Sequence, residues 1–188
     1  RLAELSTPNF DVYLVSAANV NGKRIYGVMS VPVAEGKFPA VAIVPGAGPA
    51  PLSPSFAPNT ISLILHVHEY EPQATVEEAK TVEKEFYQSR TVPKGAAKIY
   101  TLFDAGDRER YFYHDALLGM HRMLSFLKQE EKYNGRLGFY GGSQGGLVLS
   151  LAGWNPDVER IVANVPSFCD FGGILQGRIM GSPSALQA

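Results

Sequence analysis

Gly141, Ser143 and Gly145 stand at alternate positions in the run Arg136-Leu137-Gly138-Phe139-Tyr140-Gly141-Gly142-Ser143-Gln144-Gly145-Gly146. A serine spaced from glycines in this way can attack a carbonyl. The pattern G-x-S-x-G sets the hydroxyl on a sharp turn from strand to helix, where the two backbones crowd and leave no room for flanking side chains. Free N–H groups at the start of the following helix face the same spot and stabilise an oxyanion there. Gln144, directly after the serine, supplies one such N–H. The same glycines would also suit a turn that holds a phosphate. The strand-like run before Ser143 and the apolar run Gly146-Leu-Val-Leu-Ser-Leu-Ala152 after it favour the nucleophile.

A serine hydroxyl needs a base, normally a histidine oriented by a carboxylate. The histidines are His66, His68, His114 and His121, and all precede Ser143. In α/β-hydrolases the acid and then the histidine follow the serine. Either both lie beyond Ala188, so that this chain is a C-terminally truncated piece, inactive alone, or an upstream histidine serves. Geometry rather than order defines a triad, and His66 and His68 end a strand on the active-site side of such a sheet. The first alternative is the expectation. Asp170 reads as a solvated or structurally bonded loop residue.

His66 and His68, with Glu69 and Glu71, could instead hold a metal from alternate strand positions. No third and fourth ligands are evident, and packed or hydrogen-bonded histidines explain the pattern better, so neither metal nor cofactor is expected. Glu77, Glu78, Glu83 and Glu85 alternate with lysines and read as a solvated helix face. Asp104 and Asp107 read as turn and cap residues. Cys169, the lone cysteine, reads as a small buried apolar residue.

Several elements must hold these residues. Phe10–Ala17 and Ile25–Val31 form strands around Asn21-Gly22, a strong hairpin signal. The wholly apolar run Ala40–Val44 suits a central parallel strand covered on both faces. It ends in Pro45-Gly46-Ala47-Gly48-Pro49, a loop at the carboxyl end of a strand, where open α/β sheets bind ligands. Ile61–Val67 is another strand. Thr75 and Glu78 fit a capping box that starts a helix running to about Ser89. A longer helix begins at Asp107. In it Tyr113, Leu117, Met120, Leu124 and Leu127, spaced 4, 3, 4 and 3 apart, turn one apolar face to the sheet. Arg136–Tyr140 is the strand before the serine and Arg160–Val165 the strand after its helix.

These elements give an α/β-hydrolase-like fold. It has a mostly parallel sheet, an N-terminal antiparallel hairpin and helices on both faces, in a single domain over residues 1–188. The 188 residues are 45% apolar and 19% charged, enough for one real core. A net charge of -1 with no basic stripe argues against nucleic acid or an acidic membrane surface as partner. No apolar run is long enough to span a bilayer. The compartment stays open, cytoplasmic or secreted.

Gly141-Gly-Ser-Gln-Gly-Gly146, the later Val165-Pro-Ser-Phe-Cys-Asp-Phe171, and Tyr111-Phe112-Tyr113 leading into the helix with Arg122 together resemble the acetyl xylan esterase and cephalosporin C deacetylase family. This is family seven of the carbohydrate esterases, within the α/β-hydrolases. The resemblance is best over residues 108 to 171. It implies a serine esterase that takes acetyl groups from sugars or similar small esters. A small-molecule ester or acetylated oligosaccharide would be its substrate, and a homo-oligomer its assembly. Ser143 matches the nucleophile and Gln144 the donor of one oxyanion amide. The family's second donor follows the central strand in a His-Gly-Tyr motif. Pro45-Gly46-Ala47 stands there, so Ala47 is the counterpart. The family's Arg-Gly-Gln motif after the next strand is replaced by His66-Val67-His68-Glu69-Tyr70. A dienelactone-hydrolase-like enzyme, a peptidase or a non-catalytic hydrolase fold are the alternatives.

Overall fold

Asn21 and Gly22 both take positive φ, 56° and 72°. They close a hairpin between β1 (Phe10–Ala18) and β2 (Arg24–Pro32), as the Asn-Gly pair predicts. The structure is a computed structural model and describes residues 1–95, 98–147, 155–167 and 176. After the hairpin come β3 (Phe38–Val44), β4 (Ile61–Leu65), α1 (Val76–Phe86), α2 (Phe112–Leu127), β5 (Tyr133–Gly142) and β6 (Val158–Asn164). The strands form one sheet in the order β1-β2-β4-β3-β5-β6. β2 runs antiparallel to both β1 and β4, while β3 is parallel to β4 and β5, and β5 to β6. The hairpin therefore caps one edge of a parallel sheet, and the serine follows β5, next to the central strand β3.

Helix α2 covers one face. Tyr113, Met120, Leu124 and Leu127 of the expected stripe are buried, with Phe112 and Met123 beside them, while Leu117 packs half-buried at the margin. Gly119 lets the helix approach the hairpin, since a Cβ there would lie 3.0 Å from Ile25. The helix starts at Phe112 rather than Asp107. Asp107 closes a separate turn by accepting from the N–H groups of Arg110 and Tyr111, and Tyr111 then goes extended at ψ 131°. Helix α1 starts where expected, with both halves of the Thr75–Glu78 capping box formed. It stops at Phe86 because Tyr87 turns inward to the core.

Burial alternates along β3 among the described residues. Phe38, Ala40, Ala42 and Val44 are buried but Val41 and Ile43 only half so. Ile43 lies beside Tyr140 and Val162 on neighbouring strands, and those two are 42% and 57% exposed. Strand β4 ends at Leu65, two residues earlier than expected; the His66 N–H still donates to the Tyr26 carbonyl of β2, and from there Val67 and His68 are buried outside the strand. Strand β6 spans Val158–Asn164 instead of Arg160–Val165, since Val165 takes φ 46° and breaks it. Beyond Leu147 the expected elbow helix lies outside the described residues, as do Cys169, Asp170 and Phe171. Among the described residues no helix is long and apolar enough to cross a membrane.

Candidate active site

Ser143 is the first residue after β5, and its φ of 53° is left-handed. A serine in that region is strained by about 1–3 kcal/mol and persists only where its surroundings dictate it. Here they do. A Cβ on Gly141 would collide with the carbonyl of Gly145, and one on Gly145 with the carbonyl of Val44. The chain can reverse this tightly only with glycine at both places, which is the crowding the sequence motif implies. Ser143 N-terminally opens a short 3-10 turn, Ser143–Leu147, and its side chain is exposed.

The hydroxyl of Ser143 meets the hydroxyl of Ser167 at 3.1 Å, and the N–H of Ser167 donates to the Ser143 carbonyl at 3.0 Å. Ser167 was not singled out in the sequence, although it lies inside the Val165–Phe171 run. Its only signal was position, just past the strand that neighbours β5. Gly146 shares this contact, since a Cβ there would come within 2.8 Å of Pro166.

Gln144 is 2% exposed and ties the site together through its side chain. Its Oε1 accepts from Tyr100 Oη at 2.8 Å and Tyr113 Oη at 3.1 Å, and its Nε2 donates to the Gly46 carbonyl at 3.3 Å. Burial pushes the Tyr100 hydroxyl up to about 12 and raises Tyr113 further, so both remain protonated donors. Ala47, the second expected donor, is exposed in the bend beyond β3. Its neighbour Gly46 approaches the nucleophile closely, with a Cβ there falling 3.8 Å from Ser143 Cβ.

His66 and His68 are buried, 4% and 1% exposed. Among the described residues neither is hydrogen-bonded to Ser143, whose hydroxyl meets Ser167. His68 is fixed at both nitrogens. The Gly48 carbonyl, 2.8 Å away, can only accept, so Nε2 carries the proton and Nδ1 accepts from Tyr87 Oη at 3.3 Å. Desolvation holds His66 down to about 3 and His68 to about 4, so both are neutral at physiological pH. His114 pairs instead with Asp115 at 3.2 Å. No group of three His, Cys, Asp or Glu side chains among the described residues could hold a metal ion.

The acidic side chains divide differently from the expectation. Glu83 is not simply solvated. It accepts from Tyr70 Oη at 3.2 Å, and burial raises its pKa. Asp104 is more than a turn residue. It is 6% exposed, accepts from Thr91 Oγ1 at 2.6 Å and lies 3.0 Å from Arg90. Asp107 is a turn residue and not a helix cap: its side chain accepts from the Glu109 N–H at 3.0 Å, while α2 begins at Phe112 with Tyr111 as its N-cap. Lys23 joins Glu69 at 3.0 Å and also Asp115.

The family model for acetyl xylan esterase matches residues 2–180. The acetyl esterase Axe7A of Xylanibacter ruminicola is 30% identical over 192 residues, covering 97% of this chain and 42% of that protein. An acetyl xylan esterase from a Paenibacillus species superposes with TM-score 0.72 at 19% identity, over 96% of this chain and 56% of the other. Acetyl xylan esterase 1 from a Thermoanaerobacterium species superposes with TM-score 0.76 at 17% identity, over 98% of this chain and 57% of the other. The chain thus spans less than half the length of the curated relative and just over half of the two solved structures.

Proposed function

This chain belongs to the acetyl xylan esterase family, and on that premise we propose that it carries the nucleophile and oxyanion site of a serine esterase that deacetylates carbohydrates. The observation that supports this best is the backbone at Ser143: left-handed, exposed, and fixed by two glycines that admit no side chain. That conformation costs energy and persists only where its surroundings impose it.

In the proposed reaction Ser143 Oγ attacks the acetyl carbonyl as its proton leaves to a base. The carbonyl π electrons move to oxygen, and the N–H groups of Gln144 and Ala47 donate to that oxyanion, each lowering the barrier by about 3 kcal/mol or more. Collapse breaks the bond to the sugar oxygen, which takes the proton back from the base and leaves as a hydroxyl, and water, giving a proton to the same base, then cleaves the acetyl-serine to acetate and returns the proton to Ser143. We assign none of the four histidines as the base. His68 is committed at both nitrogens, His66 is desolvated, and Ser143 has Ser167 as its described partner.

The test is acetate release from acetylated xylo-oligosaccharides by the full-length protein. Ser143→Ala should abolish release, and a fluorophosphonate should label Ser143 in the unaltered protein. Turnover that survives the substitution would refute the assignment.

A further inference from the structure

Residues 45–49 and 66–70, which follow β3 and β4, meet beside the elbow. The first stretch carries Ala47 and has little of its own to hold a shape. Gly46 and Gly48 flank Ala47, Gly48 at φ 146°, and no helix or strand includes them. Glycine on both sides leaves the intervening peptides free to turn. Their direction is set from outside. Gln144 Nε2 donates at 3.3 Å to the Gly46 carbonyl, which shares one planar trans peptide with the Ala47 N–H. On the other side of Ala47 the Gly48 carbonyl accepts from His68 Nε2 at 2.8 Å, the shorter contact of the two. Beyond it the Ala50 N–H donates to Tyr70 Oη at 3.1 Å.

The surroundings of His68 leave its Nε2 proton for Gly48 alone. Tyr87 Oη accepts from the Glu69 N–H at 3.2 Å, so its own proton goes to His68 Nδ1 at 3.3 Å. Glu83 Oε2 is 3.8 Å from Nε2, too far to compete. The ring is stacked on Tyr70, with centroids 5.0 Å apart, and meets Tyr100 edge-on at 4.8 Å. Tyr100 in turn donates to Gln144.

Building on the esterase reading, we propose that His68 is a positioning residue: by holding the Gly48 carbonyl it orients the loop that presents the Ala47 N–H to the oxyanion. It makes no bond to Ser143, so it acts through the loop. An oxyanion donor is engaged only as charge develops on the ester carbonyl. Its misalignment therefore lowers kcat and leaves KM nearly unchanged.

The experiment measures acetate release from acetylated xylo-oligosaccharides by the full-length protein. His68→Phe keeps a buried ring and removes the donor. It should lower kcat by about tenfold, less than the roughly hundredfold loss on removing an oxyanion donor outright, with KM within about twofold. His68→Gln keeps an N–H donor at the ε position and should recover most of the loss. Hydrogen exchange read by mass spectrometry over residues 46–52, where the Ala50 and Leu52 N–H groups are bonded, should quicken in His68→Phe and not in His68→Gln. An unchanged kcat, a loss shared by KM, or a loss that His68→Gln does not recover would overturn the proposal. Should His68→Phe not fold, Tyr87→Phe takes its place. It removes only the hydroxyl on Nδ1 and should lower kcat by about threefold, and no loss there would equally overturn the proposal. If the unaltered protein releases no acetate while exchange quickens in His68→Phe and is restored in His68→Gln, the esterase reading fails and the tether stands. If acetate is released and neither kcat nor exchange responds to His68→Phe, the tether fails and the esterase reading stands.

Discussion

The two hydroxyls of Ser143 and Ser167 sit 3.1 Å apart, close enough for one to steer the other. A hydroxyl that donates to Ser143 Oγ orients the attacking lone pair and stabilises the forming alkoxide. Ser167→Ala should slow fluorophosphonate labelling by about threefold to tenfold, the worth of one ordinary hydrogen bond. It should also move the rate profile to higher pH, while Ser167→Thr restores both. A labelling rate and profile identical to those of the unaltered protein would show that the contact is incidental. At this scale the sequence was readable only in part. Ser143 and Gln144 follow from a motif whose glycines are spaced by steric need. The side-chain role of Gln144 did not follow, because it depends on Tyr100 and Tyr113, whose place beside the elbow is a tertiary fact. Ser167 was hidden for the same reason, and the buried Asp104 read as a turn or cap residue and the half-buried Glu83 as part of a solvated face because their cationic and phenolic partners are distant in sequence or irregularly spaced.

Among the elements, the turn between β5 and the segment after it is the least tolerant of change. Gly145→Ala would drive a methyl group into the Val44 carbonyl of the central strand. Backbone cannot yield as a flexible side chain would, so the substitution should cost about 3 kcal/mol or more, at the upper end of overpacking effects. The midpoint of urea unfolding measures this, and a shift no larger than that of an exposed alanine substitution would contradict the geometry. The elements themselves were well marked in the sequence, because hairpin, capping box and helical stripe are local signals. Their ends were less so. Helix α2 begins at Phe112 after a separate turn, and β4 ends at Leu65, before the buried Val67 and His68. Neither boundary follows from local preference.

For the molecule as a whole, the two buried histidines make stability depend on acidity. In the unfolded chain each takes up a proton near pH 6.5. In the folded chain His66 resists until about 3 and His68 until about 4. Between these limits the unfolded state binds more protons, so unfolding becomes easier as pH falls. Above about 6.5 neither state is protonated and the effect vanishes. With both groups involved, the slope below pH 6 is about 2–3 kcal/mol per pH unit at most. Thermal melts from pH 7 to 4.5 should show the midpoint falling, and His66→Gln should flatten the fall. A midpoint unchanged down to pH 4.5 would mean that these rings are not desolvated in the fold.

The carboxamide of Gln144 has a consequence beyond packing. One planar group of fixed size spans from the phenols of Tyr100 and Tyr113 to the Gly46 carbonyl, and so from the residue after the nucleophile to the residue before Ala47. The gap between the two proposed oxyanion amides is then gauged by a single covalent ruler instead of by two loops that drift independently. Such a clamp fixes their separation before any ester arrives, so little dipole rearrangement remains when charge develops on the carbonyl oxygen.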